Sequence, residues 1–208
     1  MGGVSEIVTE GSGWVEQPAD RAELTVVFEA RGRKRAAAVE ALGERVAAAE
    51  KALGLPGLTV LSRRVSVHTE YRSNRPSGAR AAEFVQVRIT DLGVLEEAMS
   101  LLLGAEPASF TGPSWSLAEP EAILAQAQQQ AVADARRRAE GYAAALGGRL
   151  GSLVRLAESA GRHAVPMALT MRARGAAEGG PDVSDLGLDP EPVRVEARCT
   201  TTWTLISD

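Results

Sequence analysis

From Val193 to Leu205 the chain alternates without a break. Val193, Val195, Ala197, Cys199, Thr201, Trp203 and Leu205 share one parity, and Arg194, Glu196, Arg198, Thr200, Thr202 and Thr204 the other. A period of two sustained this long predicts a strand with one buried face. The remainder of the chain must then provide an apolar layer to cover that face.

The other elements follow from spacing. Ala22, Leu24, Val26, Phe28 and Ala30 share one parity, so this segment is a half-buried strand. The run Glu6 to Val15 precedes it, and Gln17-Pro18-Ala19-Asp20 lies between them. Strand, turn and strand predict an N-terminal hairpin. Lys34 to Leu53 reads as a helix with Val39, Leu42, Val46, Ala49 and Leu53 on one stripe. Gly54 closes it, and Pro56-Gly57 forbids continuation. Leu58 to Tyr71 is β-rich, Arg72 to Arg80 reads as a polar loop, and Ala82 to Thr90 as a further strand. Asp91 is placed to cap a short helix carrying Leu95, Ala98, Met99 and Leu102, ended by Gly104, and Phe110 to Ser116 extends again.

A long helix comes next. Either Ser116 and Glu119 form a capping box or Pro120 is its first residue; spacing alone leaves both open. Ile123, Ala127, Ala131, Ala135, Ala139, Ala143 and Leu146 make a stripe of mostly small side chains, which lets the helix sit close to its neighbour. Gly147-Gly148 stops it, and Leu150, Leu153, Val154 and Leu156 predict a strand. Residues 157–191 hold Gly161, Gly175, Gly179-Gly180-Pro181 and Pro190 with little periodicity, a long connection of the kind that is usually functional or mobile. Within it Val165, Met167, Leu169 and Met171 form a candidate interaction arm. Strands interleaved with helices, without strict βαβ alternation, predict an α+β fold of mostly antiparallel strands.

Composition narrows the functions. A length of 208 residues allows one large domain or two small ones, and a charged fraction of 24% is ordinary for a folded chain. The net charge of -4 argues against a general nucleic-acid binder, which needs a basic footprint. Arg136-Arg137-Arg138 is diluted by Asp134 and Glu140 and reads as a solvated helix face. No run of about 20 apolar residues predicts a transmembrane helix. The start, Met1-Gly2-Gly3-Val4-Ser5-Glu6, has neither the basic nor the apolar region of a signal peptide, so the expected location is the cytoplasm. The alternative is an exported protein whose leader has been removed.

Chemistry-bearing motifs are sparse. Gly11 and Gly13 sit in Glu10-Gly11-Ser12-Gly13-Trp14, but Glu16 stands where a dinucleotide fingerprint needs its third glycine. The simpler reading is a β-bulge or a close backbone approach. His68 and His163 lack zinc-ligand spacing, and no Gly-x-Ser-x-Gly elbow occurs. Cys199 lies on the apolar parity of the last strand, as a small core residue would. Trp14, Trp115 and Trp203 read as core or interface residues. No catalytic, cofactor-binding or metal-ligating residue is assigned, and no cofactor is expected.

The order of these pieces resembles the SIMPL-domain family. The resemblance rests on Val8-Thr9-Glu10-Gly11-Ser12-Gly13-Trp14-Val15, then Pro18-Ala19-Asp20 and the Ala22 strand. It continues in the helix through Ala131, Asp134-Ala135-Arg136, Ala139-Glu140, Ala143, Leu146-Gly147 and Leu150-Gly151, and closes on Pro192-Val193, Val195, Ala197, Trp203 and Leu205. That family includes periplasmic immunogenic proteins, oxidative-stress-defence proteins and a signalling molecule that associates with a pelle-like kinase. The resemblance implies two small two-layer α/β sandwiches, with the Ala-rich helix packed on a sheet. One joins both chain ends (1–57 plus 117–208), and the other is inserted (58–116). It carries over no catalytic residues, and it implies homo-oligomers in some members. The expected function is that of a non-enzymatic oligomeric or interaction protein, a scaffold or a protein of envelope stress, with itself or another protein as partner. The alternative is a binding protein for a small apolar ligand or peptide at the domain junction. An unrecognised enzyme is the third possibility.

Overall fold

A computed structural model describes residues 5–158, 165–166 and 188–207. The chain divides into two units, each a sheet with helical cover. Unit 1 contains residues 5–18, 117–158, 165–166 and 191–207; unit 2 contains residues 19–116 and 188–190.

In unit 1 the central strand is the alternating one, β8 (Pro192–Ser207). Strand β1 (Glu6–Pro18) pairs with it antiparallel along its length, from Glu6 opposite Thr204 to Pro18 opposite Pro192. On the other side lie β6 (Gly148–Glu158), opposite Ser207 back to Cys199, and the two-residue β7 (Val165–Pro166), opposite Arg194 and Val193. The predicted pairing of the first two strands into a hairpin does not form, because β1 pairs with the last strand of the chain. Helix α3 (Pro120–Ala145) covers one face of this sheet. Pro120 begins it, and Glu119 makes no side-chain cap, which decides the choice that spacing left open. At its end Gly147 takes φ +73, a left-handed conformation that glycine adopts without steric cost, and its amide bonds the Ala144 carbonyl at 3.0 Å.

In unit 2 the strand order is β3-β4-β2-β5, all antiparallel: β3 (Leu58–Arg72), β4 (Arg75–Ile89), β2 (Arg21–Gly32) and β5 (Ser109–Ser116). Helix α1 (Arg35–Leu53) packs on β2, β4 and β3, and α2 (Leu95–Gly104) packs against α1. The expected boundary after residue 57 therefore moves to residue 18. Strand β2 is hydrogen-bonded between β4 and β5, and α1 covers that sheet, so both belong with the middle strands. The expected loop over Arg72 to Arg80 is instead a tight hairpin. Ser73 and Asn74 both have positive φ (49 and 61), the pattern of a two-residue turn between twisted strands.

The core of unit 2 joins Leu24, Val26 and Phe28 of β2 to Val85, Val87 and Ile89 of β4, all fully buried. From α1 it receives Ala38, Leu42, Val46, Ala49 and Ala52; the expected Val39 is 46% exposed and lies off the stripe. Asp91 accepts a bond from the Gly93 amide at 3.0 Å and caps the short turn leading into α2. One acid is buried on the helix-facing side. Glu83 meets Arg63 at 2.7 Å, and Arg63 reaches Glu50 of α1 at 2.9 Å. These two hydrogen bonds, Glu83 first, hold the guanidinium pKa above its ordinary value.

Candidate functional site

The seam between β1 and α3 is set by glycine and alanine. A Cβ on Gly11 would stand 2.0 Å from the Ala131 carbonyl oxygen and 2.6 Å from the Ala135 amide nitrogen. On Gly13 it would stand 2.3 Å from the Ala127 carbonyl oxygen. The Gly-x-Gly pair is thus a close backbone approach, with no phosphate cradle and with both glycines in unbroken register with β8. Ala127, Ala131, Ala135, Ala139 and Ala143 are buried against the sheet.

The close approach lets the helix cover polar groups of the strand. The Ser12 amide donates to Asp134 Oδ2 and the Trp14 amide to Gln130 Oε1, each at 3.2 Å. Strand β1 lies at the sheet's edge, and unused edge amides are templates for unwanted pairing. Asp134 is 7% exposed, and Arg137 and Arg138 both reach it, the latter at 3.0 Å. Burial by itself would raise its pKa. The Ser12 amide and the two arginines outweigh this and hold the carboxyl below its ordinary value. Arg136 pairs with Glu140 at 2.9 Å. All three arginines are thereby held by acids of their own helix.

A chain of hydroxyls lies deeper. Trp203 Nε1 donates to Thr201 Oγ1 at 2.8 Å, and Thr9 Oγ1 donates to the Ala135 carbonyl at 2.8 Å. The two hydroxyls stand 3.1 Å apart, and Thr201 is fully buried. Each polar atom of this chain has a partner, which makes its burial tolerable.

Beside this seam a cleft of about 270 Å³ opens between α3 and the sheet, lined by Gln128, Val132, Leu156, Glu158, Arg198 and Cys199 among others. Its apolar lining is Ala131, Val132, Leu156, Ala197 and Cys199, and its polar lining is Gln128, Glu158 and Arg198. Gln128 Nε2 donates to Glu158 Oε1 at 3.3 Å. Cys199 is 6% exposed, and burial pushes its thiol pKa up, so the neutral thiol predominates. The outer strand β6 exposes Leu153, Val154 and Leu156 at 44%, 52% and 47%.

Among the described residues, no group of three or more His, Cys, Asp or Glu could hold a metal ion, and no helix is long and apolar enough to cross a membrane. Of the expected interaction arm, Val165 lies in β7 beside Arg194 of β8, while Met167, Leu169 and Met171 fall outside the described residues. Trp115 and Trp203 are buried. Trp14 is 47% exposed, with the Arg194 guanidinium 4.4 Å above its ring. Sequence reasoning missed the cleft, because its lining comes from residues far apart in the chain. It also missed Asp134, whose only signal is an acid beside the buried alanines of the helix stripe.

No curated protein matches the chain. The family model described as SIMPL, protein of unknown function (DUF541), matches residues 7–203. That span includes the glycine–alanine seam, the hydroxyl chain and the cleft, and the chain belongs to the SIMPL family.

Proposed function

We propose that this chain is a non-enzymatic interaction protein that assembles with copies of itself through the β6 edge of unit 1. The carrying observation is the exposure of Leu153, Val154 and Leu156 on one outer strand. Single exposed apolar residues are ordinary, but a cluster on an edge strand combines apolar surface with backbone groups able to pair. The contrast within the same sheet supports the reading: α3 covers the amides of β1 at Ser12 and Trp14, whereas β6 displays leucine and valine. Sedimentation velocity over a range of concentrations tests it. The native chain should sediment as an oligomer, and Leu153→Lys with Leu156→Lys should yield a monomer of unchanged far-UV circular dichroism. A native chain that is monomeric at every concentration would refute it.

A second reading, a binding protein for a small apolar ligand, is favoured by the cleft lined by Ala131, Val132, Leu156, Ala197 and Cys199. A thermal-shift panel of apolar metabolites should then find a stabiliser, and Val132→Phe, which narrows the cleft from its partly buried wall, should abolish its effect.

A further inference from the structure

The face of the unit 2 sheet opposite the buried Leu24, Val26 and Phe28 carries mostly paired charges. Pairing register places Thr25, Gln86 and Ser62 in one row across β2, β4 and β3, and Val27, Phe84 and Arg64 in the next. On β4, Arg88 is held by Glu23 at 2.7 Å and Arg80 by Glu29. Arg64 of β3 has no carboxylate partner among the described residues. Its guanidinium lies 5.2 Å above the centre of the Phe84 ring. A cation–π contact of this kind holds the group near the ring without using its N–H donors. Arg64 lines a depression of about 320 Å³ together with Thr25, Ser62, Phe84, Val85 and Gln86. The carboxylates in the rows flanking the depression, Glu29 and Glu23, are paired with Arg80 and Arg88, and Glu23 also accepts from Gln86 Nε2 at 3.3 Å.

We propose that this depression binds a small oxyanion, a carboxylate or a phosphate. Arg64 is the charged donor, and the Ser62 and Thr25 hydroxyls are further donors. A guanidinium with no carboxylate partner, beside neutral hydroxyl donors, complements an oxyanion in charge. The proposal is independent of assembly through β6, which lies in the other unit.

The test is an NMR titration of the full chain. Inorganic phosphate is used in one arm and succinate in the other, with ionic strength held constant by chloride. Saturable shifts confined to Thr25, Ser62, Arg64 and Gln86 are expected. A response to phosphate alone assigns the phosphate class, and to succinate alone the carboxylate class. Arg64→Gln should weaken binding by about tenfold or more, as loss of a charge-assisted bond does, and Arg64→Lys should fall between the two. Ser62→Ala, which leaves the stacked pair in place, should weaken binding by about threefold if its hydroxyl donates. No saturable shift in either arm, or a titration unchanged in Arg64→Gln, would overturn the proposal.

Discussion

Replacing Gly11 by alanine tests the reading of the β1–α3 seam directly. The added Cβ would lie 2.0 Å from the Ala131 carbonyl oxygen, about 1.4 Å inside ordinary van der Waals contact. Its two closest obstacles, this oxygen and the Ala135 amide nitrogen, belong to the helix backbone, so no side-chain rotation relieves the clash. Helix and strand must separate. Overpacking of this kind costs about 1–3 kcal/mol. Separation also stretches the bonds from Thr9 Oγ1 to Ala135, from Ser12 to Asp134 and from Trp14 to Gln130. At about 0.5–1.5 kcal/mol for each of the three bonds weakened, the expected loss is about 2.5–7.5 kcal/mol, a large part of the stability of an ordinary domain. Urea unfolding followed by circular dichroism measures it. Gly43→Ala in α1 is the control. Its Cβ would meet nothing within 4 Å, so better helix propensity should stabilise the chain by about 0.5–1 kcal/mol. A further Ala135→Gly change should not rescue Gly11→Ala, since the worst contact remains. If Gly11→Ala is tolerated within about 0.5 kcal/mol, the close-approach argument fails.

Three other outcomes are expected. The folded-state pKa of Asp134 lies below its unfolded value, so its contribution is fully present above about pH 4 and is lost as pH falls through the folded value. Asp134→Asn should therefore flatten the acid limb of a stability–pH profile, and an unaltered limb would exclude the carboxylate as its source. The raised pKa and burial of Cys199 predict slow labelling by a thiol reagent at pH 7 that accelerates on unfolding in urea; equal rates in both states would contradict the burial. Thr201→Val leaves Trp203 Nε1 without its acceptor and should cost about 1–3 kcal/mol in urea unfolding, with a shift in tryptophan fluorescence on the native baseline.

Much of the local structure was legible in the residues. The alternation of Val193 to Leu205 marks the central strand of unit 1, and the alanine stripe marks the buried face of α3. The glycines of Glu10 to Trp14 were readable as a close approach, because a missing Cβ matters where backbones meet. Val39 misled because a helical stripe is broad, and residues at its margin are apolar without being covered. The Ser73-Asn74 turn was hidden in a polar run whose strands carry ordinary surface residues on both faces.

By itself, the sequence determined most of the extended and helical segments and the buried face of the most regular ones, since periodicities of 2 and 3.6 are local consequences of backbone geometry. Only the tertiary structure decided that β1 joins β8 and β2 joins β4 and β5, although β1 and β2 are neighbours in the chain. It alone brought Asp134 to the Ser12 amide, Glu158 to Cys199 and Arg64 to Phe84. The physical reason is that alternation reports burial of one face but is silent about the strand edges. Edge hydrogen bonds are chemically alike for every residue except proline, so their partners are chosen by packing across the whole unit.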